Sequence, residues 1–175
     1  TSAGGQVVVN KVLNRVYVSA DFSSGGTLTV IDGQTFTVLT TLSNSNGVSW
    51  DVKNDNFWTG NLSGGQVLTY SGSTNTQINA NTLGFCPGET AFDCKKRRFW
   101  VGAQCGAGND PVFVFNADTF ALIAGPIATG GTLGPIVVNP LNGKLHIQSG
   151  GVSKEINPTT FAVKATGLGT VLAGD

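Results

Sequence analysis

The sequence is poor in charge and in side chains that carry out catalysis. Charged residues make up 11% of its 175 residues, and ten basic residues balance ten acidic ones. The usual charged share is about 25%. A net charge of zero favours neither nucleic acid nor an anionic membrane surface as a partner. With a single histidine, neither a Ser-His-Asp triad nor a zinc site is predicted.

Long apolar runs are missing as well. No stretch of about 18 apolar residues occurs, so no transmembrane helix is predicted. Ser, Thr and Asn stand where Lys and Glu are usual, which favours a secreted protein. The start "TSAGGQ", without Met or signal peptide, fits a mature chain after cleavage or a trimmed one. The one glycosylation acceptor is "NLS" at Asn61.

A repeating pattern is what the sequence does contain. Four stretches such as "VVVNKVLNRVYVSA" combine an alternating apolar strand, a turn rich in Asn and Asp, and a second strand. They begin at Val7, Val48, Thr90 and Ile136, at intervals of 41, 42 and 46 residues. A large side chain recurs at one position in the second strand of each repeat, at Tyr17, Trp58, Trp100 and His146. A fixed period of this length indicates a repeat architecture.

Each repeat predicts four short strands, which is the content of one β-propeller blade. Asn and Asp favour the turns between strands, because their side chains bond to nearby backbone groups. One blade cannot bury both of its faces, so the recurring large side chain is expected to fill the wedge between neighbouring blades. The prediction is an all-β, four-bladed β-propeller in one domain, residues 1–175. Its blades cover approximately 7–47, 48–89, 90–135 and 136–167.

The first repeat resembles the YVTN family of β-propeller repeats. The blade of that family runs as an apolar strand, a turn with Asn, Arg-Val-Tyr-Val, and then Val-Ile-Asp-x-x-Thr. The matching residues here are Asn10, Asn14, Arg15, Val16, Tyr17, Val18, Val30, Ile31, Asp32 and Thr35. Later repeats match less well. The resemblance implies the fold without catalytic residues, and its relatives include surface proteins, binding proteins and some lactone-hydrolysing enzymes.

The number of repeats departs from that family, whose relatives usually carry about seven blades within the range known for propellers. A further strand, "LGTVLAGD" at 168–175, matches the opening of another repeat. Three interpretations follow. The four blades close alone, the chain is part of a larger propeller, or the extra strand adds to a neighbouring chain. In the third case two chains form one larger ring, because open strand edges pair readily.

Loops at one end of the predicted blades are the candidate ligand site, since loops on a rigid scaffold often carry function. They combine aromatic rings with amides and carboxylates, which suits a carbohydrate or another small molecule. Ordinary solvated loops are the alternative. The candidate residues are Asp21, Phe22, Phe85, Glu89, Asn109 and Asp110.

Three cysteines and one charge run allow further hypotheses. Cys86 and Cys105 lie at the same end of the third repeat, which favours a disulfide between them. Cys94 lies at the opposite end and is either buried and inert or exposed and reactive. The run "KKRR" at 95–98 is predicted to be a solvated hairpin turn, with a phosphate-binding patch as the alternative.

Four polar residues end the inner strands: Asn10, Asp51, Asp93 and Asn139. A ring of their oxygens suits Ca²⁺, but Asn and Asp also start turns. No other cofactor is expected. The function predicted is a secreted, non-catalytic binding or assembly protein. One alternative is a small lactonase-type hydrolase with a central metal, and another is a structural subunit that forms homo-oligomers by strand exchange.

Overall fold

The computed structural model describes residues 5–20, 26–104 and 108–167, and it shows sixteen strands there. The strands are β1 Val7–Asn10, β2 Arg15–Ser19, β3 Thr27–Asp32, β4 Val38–Ser43, β5 Asn46–Asp51, β6 Asn56–Asn61, β7 Gln66–Ser71, β8 Gln77–Thr82, β9 Pro87–Asp93, β10 Arg98–Ala103, β11 Pro111–Asn116, β12 Leu122–Ala128, β13 Leu133–Val138, β14 Leu145–Ser149, β15 Val152–Ile156 and β16 Val163–Ala165. Among these residues no helix is long and apolar enough to cross a membrane.

The strands form four antiparallel sheets of four, each with its strands in chain order. We call the sheets blade 1 (β1–β4), blade 2 (β5–β8), blade 3 (β9–β12) and blade 4 (β13–β16). The all-β prediction with four sheets is therefore confirmed. The chain divides after Gly88 into two compact units, with blades 1 and 2 in unit 1 and blades 3 and 4 in unit 2. Among the strands of blades 3 and 4, only β9 begins before that boundary, at Pro87.

The turn between the first two strands of each blade is built around the Asn or Asp that ends the inner strand or, in blade 4, directly follows it. Asn10 Oδ1 accepts the backbone N–H groups of Val12 and Leu13, both at 3.0 Å. Asp51, Asp93 and Asn139 each accept the N–H of the residue two positions on. These bonds satisfy backbone donors that the strands leave unpaired. The turn-starting role predicted for all four residues is confirmed.

The turn between the third and fourth strands repeats a second pattern. In blade 1, Asp32 Oδ1 accepts the N–H groups of Gln34 and Thr35 and the Thr35 hydroxyl. The Thr35 and Gln34 amides hold the pKa of Asp32 below its usual range. The fifth residue of this turn has a positive φ in every blade, at Phe36, Asn75, Phe120 and Phe161. Asn adopts that conformation more readily than Phe does.

In unit 1 the core lies between blades 1 and 2. Tyr17 of blade 1 packs on Phe57 of blade 2 with ring centroids 4.7 Å apart, and Phe57 stacks on Tyr70 at 5.2 Å. Leu28, Val30, Val48 and Leu68 complete this cluster. The side of blade 1 that carries Tyr17 therefore meets the side of blade 2 that carries Phe57. We call the side of a blade that carries the Tyr17 position its trailing face. The opposite side, which carries the Phe57 position, is its leading face.

Unit 2 repeats this arrangement. Trp100 lies on the trailing face of blade 3, and Ile136, Leu145 and Ile156 lie on the leading face of blade 4, in one cluster. Phe161 packs edge-on against Trp100, with ring centroids 6.2 Å apart. Tyr17 and Trp100 thus fill the wedge within their units, as predicted for that repeat position.

An arginine joins the two blades of each unit. In unit 1, Arg15 of blade 1 donates to the backbone carbonyls of Gly72 and Ser73 in the last turn of blade 2. In unit 2, Arg98 of blade 3 donates to the Pro158 carbonyl and lies 5.6 Å from the centroid of the Phe161 ring. Both arginines occupy one repeat position, so the same contact between neighbouring blades recurs in the two units.

Candidate functional site

The loop end of unit 2 is held by a buried polar network. Asp110, at 2% exposure, accepts the Leu133 N–H through Oδ2 at 3.1 Å. Its backbone N–H donates to the Gly131 carbonyl. Gln104 Nε2 donates to the Leu133 carbonyl at 3.0 Å. These bonds tie the loop between β10 and β11 to the start of blade 4.

Thr129 is the centre of the same network. Its hydroxyl donates to the Asp110 carbonyl at 2.6 Å, and Ser149 Oγ bonds to the Thr129 hydroxyl at 3.0 Å. Lys154 Nζ donates to the Thr129 carbonyl. Gly131 approaches the Gly150 backbone so closely that a Cβ there would lie 2.5 Å from the Gly150 nitrogen. The loop end of unit 2 is therefore preorganised and leaves no room for a larger residue at 131.

Glu89 lies near the start of β9 and is 8% exposed. Burial raises the pKa of its carboxyl from the ordinary 4.5 to about 7. A carboxyl that changes charge near neutral pH is suited to proton transfer or to a pH-dependent contact. The described residues place no group of three or more His, Cys, Asp or Glu close enough together to hold a metal ion.

In unit 1 the corresponding loops are tied together by Gln6 and Asn46. Gln6 Oε1 accepts the Val48 N–H at 2.9 Å, which joins blade 1 to blade 2. Asn46 is 4% exposed, and its backbone carbonyl accepts the Thr59 hydroxyl. The Nδ2 of Asn46 is buried and has no hydrogen-bond partner among the described residues. Phe85 lies half-buried in the loop before β9.

The six predicted ligand residues thus have different environments. Asp21 and Phe22 lie outside the described residues. Asn109 is exposed, whereas Glu89 and Asp110 are buried, and Asp110 supports the loop. Sequence reasoning missed Asn46, Thr129 and Ser149, because Ser, Thr and Asn are common in all loops of this chain. Their only signal is their position next to a strand end and a glycine.

The structure answers some of the questions about the cysteines and the charge run. Cys105 lies outside the described residues, so its disulfide with the half-buried Cys86 stays a prediction. Cys94 is exposed and carries a free thiol, so the exposed alternative is the one the structure shows. The "KKRR" run lies in a hairpin turn, as predicted. Arg97 there pairs with Asp118 at 2.9 Å and lies over the Phe92 ring.

The predicted calcium site, the glycosylation site and the extra strand all stay untested. One side-chain oxygen each of Asn10, Asp51, Asp93 and Asn139 accepts an N–H of the turn, and a calcium ion held by these residues stays a prediction. Asn61 ends β6, and its Oδ1 accepts the Gly64 N–H at 3.0 Å, so its glycosylation also stays a prediction. The extra strand predicted at 168–175 lies outside the described residues.

The different burial of Asp110 and Asn109 gives a direct test of their roles. Asp110→Ala is expected to lower the free energy of unfolding by about 2 kcal/mol, because it leaves the buried Leu133 N–H unpaired. Asn109→Ala, at an exposed position, is expected to change it by less than about 0.5 kcal/mol. Denaturant unfolding of both variants measures the two values. Equal effects would contradict the structural role assigned to Asp110.

No family model matches this chain, and no curated protein matches it. Solved structures do match. Hydrazine synthase of Kuenenia stuttgartiensis has a TM-score of 0.75 at 10% identity, over 92% of this chain and 48% of that one. The structure of the RRP9 WD40 repeats has a TM-score of 0.75 at 9% identity, over 94% of this chain and 53% of that one. The Cps50 (Swd1) β-propeller domain of Myceliophteria thermophila has a TM-score of 0.70 at 12% identity, over 97% of this chain and 55% of that one.

At these identities the likeness concerns the fold alone, and the fold is a β-propeller, as predicted. This chain spans about half the length of the structures that it matches. They include one named as an enzyme and others named for repeats or a propeller domain, so the fold leaves the function open. Membership of the YVTN family stays a prediction.

Proposed function

We propose that this chain is a non-catalytic β-propeller module that acts by binding or assembly. The observation that carries the proposal is the use of its polar side chains, which serve turns, joints and loops. Asn10 and Asp32 hold turns. Arg98 joins blades 3 and 4, and Asp110 fixes a loop. What these residues support is a rigid scaffold that presents its faces and loop ends to a partner.

Within this proposal the loop end is the ligand surface, and a carbohydrate or a similar small polar molecule is the ligand class. The loop end of unit 1 offers part of the aromatic ring of Phe85, and the loop end of unit 2, taken by itself, offers the exposed amide of Asn109. A ring packs against the apolar face of a sugar, while an amide exchanges hydrogen bonds with its hydroxyls. A secreted location belongs to the same proposal.

A glycan array with the wild-type chain is the test. For any glycan that binds, we expect Phe85→Ala to weaken binding at the loop end of unit 1, or Asn109→Ala to weaken binding at the loop end of unit 2, about tenfold, which is about 1.4 kcal/mol. Leu141→Lys is the matched control, because Leu141 is 84% exposed and lies in the β13–β14 turn, away from the loop end. An array without a hit at about 10 µM protein would reject the carbohydrate ligand. So would binding that neither alanine variant weakens.

A further inference from the structure

The leading face of blade 1 is apolar and exposed. It comprises the exposed Val7, Phe36 and Val38, at 62%, 79% and 61% exposure, and the half-buried Val16, Val18 and Ile31. Val16 pairs with Ile31 across the sheet, and Ile31 pairs with Val38, so these side chains form one row. Contiguous apolar patches of several hundred Å² on a folded chain mark interaction surfaces.

The repeat positions of Val7, Val16, Val18 and Ile31 are buried wherever a blade precedes them in a unit. Val7 corresponds to Val48 and Ile136, which are 1% and 5% exposed. Val48 packs in the core of unit 1 and Ile136 in the core of unit 2. The leading face of blade 1 therefore has the composition of an interior surface, and we look for the partner that covers it.

Phe36 repeats this contrast in the turn after the third strand. Its counterpart in blade 4 is Phe161, which packs on Trp100 and lies under the Arg98 guanidinium. Phe36 holds the same left-handed turn conformation and is 79% exposed. An exposed Phe in that conformation combines backbone strain with a hydration cost, and burial against a partner removes the second.

The trailing face of blade 4 does not match this apolar face. Its central row is Val137, His146, Glu155 and Lys164, which pair across the sheet. Lys144 pairs with Glu155 at 2.8 Å, and its hydrogen bond to Glu155 lowers the pKa of that carboxyl. The corresponding row of blade 1 is Val8, Tyr17 and Val30. Burying Glu155 and Lys164 against valines and a phenylalanine would cost their hydration.

We infer that the leading face of blade 1 binds the leading face of blade 1 in a second copy of this chain, about a two-fold axis. An apolar face is complementary to itself, whereas the charged face of blade 4 is not complementary to it. Two-fold dimers use one patch on both copies and are the commonest oligomers. Two sheets that pack face to face lie about 10 Å apart, which lets the two rows of side chains interdigitate.

This inference rests on the proposed assembly function and names its partner. It differs from completion of a larger ring, because a ring requires the trailing face of one copy to meet the leading face of the next. A head-to-tail contact would also add further copies or close into rings. The two arrangements therefore predict different masses and different sensitive residues.

The test uses substitutions taken from the other blades of the same chain. Phe36→Asn copies Asn75 of blade 2, Val38→Gln copies Gln77, and Val7→Thr copies Thr90 of blade 3. Each residue is already accommodated at that repeat position, so the triple variant is expected to fold. Light scattering at about 100 µM should give about 36 kDa for the wild type, twice 18.0 kDa. The triple variant should give 18.0 kDa with an unchanged far-ultraviolet circular dichroism spectrum.

Two controls locate the interface. Leu141→Lys removes an equally exposed apolar side chain from blade 4 and is expected to leave the dimer intact. Glu155→Gln changes the trailing face of blade 4 and is also expected to leave it intact. A wild type of 18.0 kDa, species heavier than a dimer, or a dimer that persists in the triple variant would each overturn the inference. Glycan binding by a monomeric wild type would overturn the dimer and retain the binding function, whereas a monomer without a glycan hit would end both.

Discussion

Glu89→Gln is expected to raise the free energy of unfolding at pH 8 by about 2 to 3 kcal/mol and to leave it almost unchanged at pH 4. Burial raises the pKa of the Glu89 carboxyl from 4.5 to about 7. The folded chain therefore keeps its proton up to about pH 7, while the unfolded chain releases it near pH 4.5. Between these values the wild type loses stability as pH rises. Glutamine carries no charge, so the variant does not have this loss.

Denaturant unfolding at several pH values between 4 and 8 measures both profiles. The control is Glu155→Gln, because Lys144 lowers the pKa of Glu155. A carboxyl with a lowered folded pKa adds stability above its unfolded pKa, so that variant should change stability in the opposite direction and by less. Parallel profiles for wild type and Glu89→Gln would show that the Glu89 carboxyl is hydrated in the folded chain.

Trp100→Ala is expected to lower the free energy of unfolding by about 4 kcal/mol, whereas His146→Ala is expected to lower it by less than about 1 kcal/mol. Both residues hold one repeat position. Trp100 is completely buried between blades 3 and 4, and it packs on Phe161. His146 is half-buried in a row with Glu155 and Lys164. Loss of the buried Trp100 ring leaves a cavity between blades 3 and 4, whereas loss of the half-buried His146 ring does not, so the two free energies of unfolding are expected to differ.

Chemical unfolding of both variants gives the comparison. Trp100→Tyr serves as the conservative variant, because Tyr17 fills the same wedge in blade 1. It should retain roughly half of the stability that alanine loses. Similar losses at Trp100 and His146 would mean that blade 4 is covered on its trailing face as blade 3 is, which would also remove the argument against head-to-tail packing.

The repeat made most of the fold predictable from the sequence. Strand alternation, the Asn and Asp turns and the recurring large side chain each depend on local chemistry, so they predicted four four-stranded sheets. Sheet starts differ by a few residues: the predicted blades begin at 48, 90 and 136, and the sheets at Asn46, Pro87 and Leu133. The difference arises because irregular residues at the loop end, between Asn46 and Ser49 and between Leu133 and Ile136, extend the inner strands.

The candidate site was less predictable, because its burial depends on contacts between residues far apart in the chain. Asp110 and Glu89 occur in segments that read as solvated loops, and their sequence neighbours do not indicate burial. Asp110 is buried because the Leu133 N–H, 23 residues away, needs an acceptor. The sequence did not reveal the exposed face of blade 1 either, because Val7 and Phe36 lie in the same repeat pattern of apolar residues as their counterparts in the other blades. Only the packing of the blades within each unit distinguishes them.

Hydrogen exchange of the unmodified chain at about 1 µM and about 100 µM tests the central claim most directly, because it locates an assembly surface without a mutation. We predict that amides of residues 7–20 and 26–38, in blade 1, gain protection at the higher concentration, and that amides of residues 144–165, in blade 4, do not. Unchanged exchange in blade 1, or added protection in blade 4 instead, would contradict assembly through the leading face of blade 1.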